Sequence, residues 1–340
     1  HLLSRRQRQM CIRDSYMTGD GNHHRMVEVD MMGSTIHNWD MLERGYTMHH
    51  AISQDKQGNI LATVSKTSAK IANGKDVRIN DFIIMMDPEK GEILQEWDLV
   101  HMLDSARYGM TDYDLTSDPF AQSASNWAHN NGIVEWGDDY LATARYQGIF
   151  KFNKAGGIEW IISPHGYWRD KYLKLLLNPL HADGTPITDP EVIAGTKNCD
   201  DFEWPWGCHT AVPLPNGHIL YFNNGYGRNF KLDFTDRKNI YTCGIEYEVD
   251  EVNRTVRQVW QYGKERGAAY FTPARSGVQY LEQTGNRLIC PGMSNVLSNG
   301  NRGARVTEVD PETQDVVFEL ELEDAIYQRV YRMSLYPENQ

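Results

Sequence analysis

Short runs with apolar residues at every second position recur along most of the chain, each closed by a turn bearing glycine, asparagine or aspartate. A two-residue period predicts half-buried strands. Three runs share one register: HAISQDKQGNIL (50–61), HNNGIVEWGDDYL (129–141) and HTAVPLPNGHIL (209–220). Each places glycine eight positions after histidine, with an aliphatic or aromatic–aliphatic pair two or three positions later. A fourth run, GVQYLEQTGNRLI (277–289), keeps Gly285 but has Gly277 where the histidine would be. Asn216-Gly217 between apolar runs is a strong hairpin signal.

Each hairpin is followed by a second strand pair, at 81–99, 148–162, 244–260 and 304–320. A further pair at 25–41 has no histidine hairpin before it. The unit is four strands long and repeats, which predicts an all-β fold, a β-propeller of four-stranded blades. Helical periodicity is nearly absent, and residues 168–177 are the best helical candidate. Segments 100–128 and 164–208 are long for loops and are expected to be functional or to carry small elements of their own. In a propeller the first strand of each blade lines the central channel. His50, His129 and His209 hold one repeat position, so they are expected to ring one funnel mouth. Three unrelated surface histidines is the competing arrangement.

The 340 residues are 40% hydrophobic and 24% charged, enough to bury one large core or two ordinary ones. A formal charge of −12 argues against a general nucleic-acid partner, which would need a basic face. No run of eighteen apolar residues suggests a membrane span. Five cysteines are few for a disulfide scaffold. Cys199 and Cys208 are close enough in sequence to pair, and two free thiols is the other reading. Residues 1–15, including Cys11, are basic without an apolar core, and read as translated adapter or vector sequence rather than a signal peptide. The propeller is expected over 16–340. DPEKG (87–91) and DPETQ (310–314) lack calcium-loop spacing and read as Asp-Pro turns. NNGYGRNF (223–230) follows a strand without opening a helix, so it is expected to shape the channel rim near His209 rather than hold phosphate.

CHTAVPLPNGHILYFNNGYGR (208–228), VWQYGKERG (259–267), HNNGIVEWGDDYLATARYQGIFKF (129–152) and YRMSLYP (331–337) together resemble the bacterial aryl-sulfate sulfotransferases that do not use an adenylyl-sulfate donor. The resemblance covers most of residues 40–340. It implies a six-bladed propeller with a funnel-shaped site, a periplasmic location, and an N-terminal domain and first blade that this chain is expected to lack. It implies that one histidine, at the position of His209, is transiently sulfated, and that His50, His129, Asn131 and Arg145 contact sulfate. A further family contact, a threonine, corresponds here to Arg275, with Thr272 and Ser276 near it. The family also carries a tightly spaced cysteine pair; the spacing of Cys199 and Cys208 is wider.

The residue types suit that chemistry. A neutral imidazole is a competent nucleophile near neutral pH. The Arg145 fork matches two sulfate oxygens. His50 and His129 can donate to the remaining oxygens and protonate a leaving phenolate. Asn131, two residues from His129, is expected to face the same side. Arg275 is a second anion-binding candidate. The expected partners are phenols and aryl sulfate esters, with no metal or nucleotide required, and a homodimer is compatible with this reading. Two other classes stay open. Converging histidines can bind a metal, giving a metal-dependent hydrolase or oxygenase, and a propeller can be a binding platform without chemistry.

Overall fold

Five sheets follow one another along the residues described by the computed structural model, which are 15–18, 24–30, 32–66, 80–107, 127–232, 235, 237–327 and 330. The first fourteen residues and the 331–337 motif lie outside them. The first sheet is β1 (Ser15–Thr18), β2 (Arg25–Val29) and β3 (Thr35–Asp40), in that order. The second holds β4 (Tyr46–Gln54), β5 (Ile60–Lys66), β6 (Asn80–Met86) and β7 (Ile93–Asp98). A one-turn helix, α1 (Leu99–Met102), follows. The third sheet is β8 (Asn130–Trp136), β9 (Asp139–Ala144), β10 (Gly148–Phe152) and β11 (Ile158–Ile162). An insertion then carries α2 (Asp170–Leu173), β12 (Asn178–Leu180) and α3 (Pro190–Ala194).

The fourth sheet is β13 (His209–Pro213), β14 (Ile219–Asn223), β15 (Cys243–Asp250) and β16 (Thr255–Tyr262), with β12 added in parallel along β16. The fifth contains β17 (Gly277–Tyr280), β18 (Arg287–Cys290), β19 (Asn295–Val296), β20 (Arg302–Val309) and β21 (Val316–Glu323). In the second and third sheets, and among β13 to β16 of the fourth, sequence order is spatial order, the meander that short turns dictate. The first strands of successive sheets adjoin, β4 against β8, β8 against β13 and β13 against β17. This is the blade arrangement of a propeller.

The core lies between neighbouring blades. Met26 and Trp39 of the first sheet pack with Met48 and Ile84 of the second. Leu61 and Ile83 meet Phe150 and Phe152 of the third. Ile149 and Trp160 meet Tyr221 and Tyr247 of the fourth. Leu220 and Phe222 meet Val278 and Ile289 of the fifth. Alternation along each strand therefore serves two interfaces at once, and burial of each such side chain contributes about 1.5–3 kcal/mol. The repeat glycines Gly58, Gly137, Gly217 and Gly285 all have positive φ, between 66° and 86°, which is why glycine recurs there. The aspartates of both Asp-Pro turns cap their own turns: Asp87 accepts from the Glu89 and Lys90 N–H groups, and Asp310 from those of Glu312 and Thr313.

The helix expected over 168–177 is a single turn, 170–173. The chain beyond it is held by β11 instead: Ile161 N–H donates to the Leu175 carbonyl and Leu177 N–H to that of Ile161. Pairing with a sheet edge has overridden a weak helical preference. No helix among the described residues is long and apolar enough to cross a membrane.

Candidate active site

Each histidine of the repeat sits where the innermost strand breaks register. The pairing shifts between Met48 and Ile52 in β4, between Asn130 and Gly132 in β8, and between His209 and Val212 in β13. Bulges of this kind re-aim side chains. The backbone at each break is left-handed, with φ of 55° at His50, 53° at His129 and 50° at Thr210. For a β-branched threonine that is an outlier, and each such residue costs about 1–3 kcal/mol. Side chains stitch the breaks. Thr63 Oγ1 donates to the His49 carbonyl and accepts from the Ala51 N–H, and Thr143 Oγ1 donates to Asn131 Oδ1. The fourth copy has the same strain without the imidazole, with φ of 66° at Arg275 and 96° at Ser276.

The three imidazoles converge from three sheets. His50 Nε2 and His129 Nε2 are 3.1 Å apart, and the His50 and His209 ring centroids are 6.1 Å apart. His209 is buried. Its Nδ1 faces Asn224 Oδ1 at 2.6 Å and the Gly207 carbonyl at 3.1 Å. The Asn224 amide is itself oriented, because Nδ2 donates to the Thr272 and Arg275 carbonyls at 2.9 and 3.2 Å. Two acceptors at Nδ1 require a proton there. The Nε2 of His209 therefore carries the basic lone pair.

His50 and His129 are both held neutral well below the usual histidine range. Crowding by protein is the larger cause for each. For His50 the neighbouring His129 and His49 come next, and for His129 the Arg145 guanidinium. His50 still has accessible surface, so the crowding is that of a concave wall, not of a sealed core. These depressions have a consequence for stability. Unfolded histidine takes a proton near pH 6.5 and the folded funnel refuses it, so the unfolded chain binds more protons and stability falls as pH drops below about 6.5. The thermal midpoint is expected to fall from pH 7 to about pH 5.5. The double substitution His50→Gln with His129→Gln should flatten that slope.

Arg145 is buried at the start of the turn after β9. Its Nη2 donates to the Pro273 carbonyl at 2.7 Å, and its Cζ lies 4.4 Å from the Tyr226 ring centroid. Gly207 lets the chain pass close by: a Cβ there would stand 3.6 Å from Arg145 Cζ and 3.1 Å from Tyr226 Cβ. Asn131 is the extra residue of the β8 bulge, so simple alternation from His129 does not apply to it. Its Nδ2 donates to the Cys208 carbonyl at 2.8 Å, which ties the third blade to the residue before His209. Arg275 joins the site through its carbonyl, on Asn224.

The His–x7–Gly register brought three imidazoles together, and the loop 223–230 reaches His209 through the buried Asn224. Sequence reasoning did not single out Asn224, and it set His49 aside. Asp81 was missed too. Asn224 follows a strand in a run of asparagines and glycines, with no repeat partner to mark it. Among the described residues, the histidine, cysteine and acidic side chains that bring three ligand atoms within 4.8 Å of one another are His181, Cys199 and Asp201, not the funnel histidines. There Asp201 Oδ1 is contacted by His181 Nδ1 at 3.0 Å and Cys199 Sγ at 3.1 Å.

Residues 7–332 match the family described as Arylsulfotransferase (ASST). The chain belongs to that family. It is 28% identical to the arylsulfate sulfotransferase AssT of Escherichia coli O6:H1 (strain CFT073), over 95% of this chain and 58% of that protein. To the AssT of Lelliottia amnigena it is 29% identical, with the same two coverages. The chain thus spans little more than half the length of these relatives. Among solved structures, the Dos1 propeller covers 83% of this chain and 64% of its own, at 8% identity and a TM-score of 0.35. The fold assignment rests on the sheet order given above. In this arylsulfotransferase-family chain Cys199 and Cys208 are both free thiols. Burial pushes Cys208 up to about 12, so it stays protonated beside His209.

Proposed function

We propose that this chain moves a sulfuryl group from an aryl sulfate ester to a phenol, in two half-reactions through sulfohistidine at His209. The observation that carries the reading is the fixed tautomer of His209, with Nε2 basic, beside two imidazoles held neutral. In the first half-reaction Nε2 attacks sulfur, the N–S bond forms and the S–O bond to the aryl group breaks. The electron pair of that bond leaves on the phenolate oxygen, which takes a proton relayed through the His50–His129 pair. In the second half-reaction the acceptor phenol oxygen attacks the same sulfur and passes its proton back to the His50–His129 pair, while the N–S bond breaks and its electron pair returns to His209 Nε2. Arg145 supplies the fixed positive charge for the sulfuryl oxygens. Asn131 has one amide hydrogen beyond that given to Cys208, and it offers this to the same oxygens. Arg275, whose carbonyl accepts from Asn224, is the further candidate for contact with the substrate anion.

A funnel metal is the weaker reading, since the His50, His129 and His209 ligand atoms are not gathered around one point and a guanidinium beside them repels a cation. The test is intact-mass measurement after adding an aryl sulfate without acceptor. A sulfuryl-sized adduct mapped to His209 is expected, and turnover with no such adduct would sink the covalent route. Binding without turnover would support a platform instead. Asn224→Leu should lower phenol release about 10- to 100-fold, because the imidazole loses the partner that holds its tautomer. On the family resemblance we also place the activity in the periplasm, which recovery of the native protein in an osmotic-shock fraction would check.

A further inference from the structure

Asp81 is a buried carboxylate that the transfer step above does not use. Its Oδ2 accepts the backbone N–H of Asn130, the residue after His129, at 2.9 Å. Its Oδ1 lies 3.2 Å from Nε2 of His49, an ion-pair contact rather than an aligned hydrogen bond. From His49 the contacts continue inward. His49 Nδ1 is 3.1 Å from His50 Nδ1, and His50 Nε2 is 3.1 Å from His129 Nε2. Asp81 therefore touches one end of a run of three imidazoles directly, at His49, and holds the backbone next to the other end, at Asn130.

Each link joins like nitrogens of two rings, so each can be made with the proton on either side. The run has two self-consistent polarities. With one extra proton, His49 is an imidazolium beside Asp81 and its Nδ1–H donates to His50. His50 Nε2–H then donates to His129, which presents its remaining N–H at the inner end. With that proton gone, His49 keeps its hydrogen on Nε2, toward Asp81. His49 Nδ1 accepts from His50, His50 Nε2 accepts from His129, and the inner end presents a lone pair.

We propose that Asp81, His49, His50 and His129 form a proton store, which protonates the departing phenolate in the first half-reaction and takes a proton from the acceptor phenol in the second. The inference rests on the sulfohistidine reading. A two-step transfer needs such a store, because the first phenol leaves with a proton before the second arrives. The proton count balances: one proton leaves the run as the S–O bond breaks, and one returns as the new S–O bond forms. The crowding that keeps His50 and His129 neutral places the stored charge at the Asp81 end. Asp81 and His49 act through the inner histidines and are positioning residues.

The test compares two donors, 4-nitrophenyl sulfate and phenyl sulfate, in Asp81→Asn and His49→Gln. Nitrophenolate leaves with little help, whereas phenolate needs an acid. General acid–base assistance is worth about 10²- to 10⁴-fold. We expect losses of about 100-fold with phenyl sulfate and about tenfold with 4-nitrophenyl sulfate. Equal losses for the two donors, or no loss, would overturn the proton store. Circular dichroism controls for folding, and His49→Gln leaves the Asp81–Asn130 bond in place should Asp81→Asn fail to fold. The His209 adduct from 4-nitrophenyl sulfate should still form in both variants. Its absence from the wild type would instead overturn the sulfohistidine reading.

Discussion

Replacing His209 with asparagine is expected to remove donor-dependent phenol release, by about 10⁴-fold or more, and with it any sulfuryl adduct. Asparagine fills most of the same space and can still meet the Gly207 carbonyl and Asn224, so the surrounding blades should keep their packing. It has no basic nitrogen to attack sulfur. Losing a nucleophile removes the whole covalent route, not one contact in it, so the effect should fall on kcat. The comparison is cleanest with 4-nitrophenyl sulfate as donor, read by nitrophenolate absorbance, with thermal denaturation of both proteins alongside. A variant that keeps more than a tenth of the activity would mean that another group attacks sulfur.

Arg145→Leu should cost about 10²- to 10³-fold in kcat/KM, the size seen when one fixed donor to a developing anion is removed. Arg145 is the guanidinium whose charge reaches His129. It is also a tie between blades, through the Pro273 carbonyl and the Tyr226 ring. Arg145→Lys separates these roles. Lysine restores charge without the planar fork, and it should recover roughly tenfold of the loss if charge is what the sulfuryl oxygens need. A second readout does not depend on turnover. His129 should move part-way back toward the ordinary histidine range in Arg145→Leu, with crowding still holding it down, as followed by an NMR titration. An unchanged His129 would place the guanidinium's field elsewhere.

Much of the fold was legible because a propeller repeats itself. The repeat glycine, eight residues after histidine in three copies and after Gly277 in the fourth, marked four hairpins, and all four formed, since a positive-φ turn between short strands leaves few other residues eligible. The convergence of His50, His129 and His209 was legible for the same reason. What could not be read were features with no period. The bulges at 49–51 and 210–211 arise from how Thr63 and the innermost strands pair across the sheet, and no local signal announces them. Asn224 and Asp81 matter through partners 15 and 49 residues away. His49 was passed over because repeat spacing chose its neighbour, yet the two rings stand in contact. The wide Cys199–Cys208 spacing left pairing open, and the thiols face different surroundings. Cys199 lies against Asp201 and Cys208 is wholly enclosed.

The insertion between β11 and β13 does more than fill space. By laying β12 along Thr255–Arg257 of β16 it occupies part of the outward edge that the fourth blade would otherwise present. A bare rim of that kind is a template for a stray strand from another molecule. Cutting the chain within β12 itself should therefore show first as self-association of the protein and only later as lost chemistry.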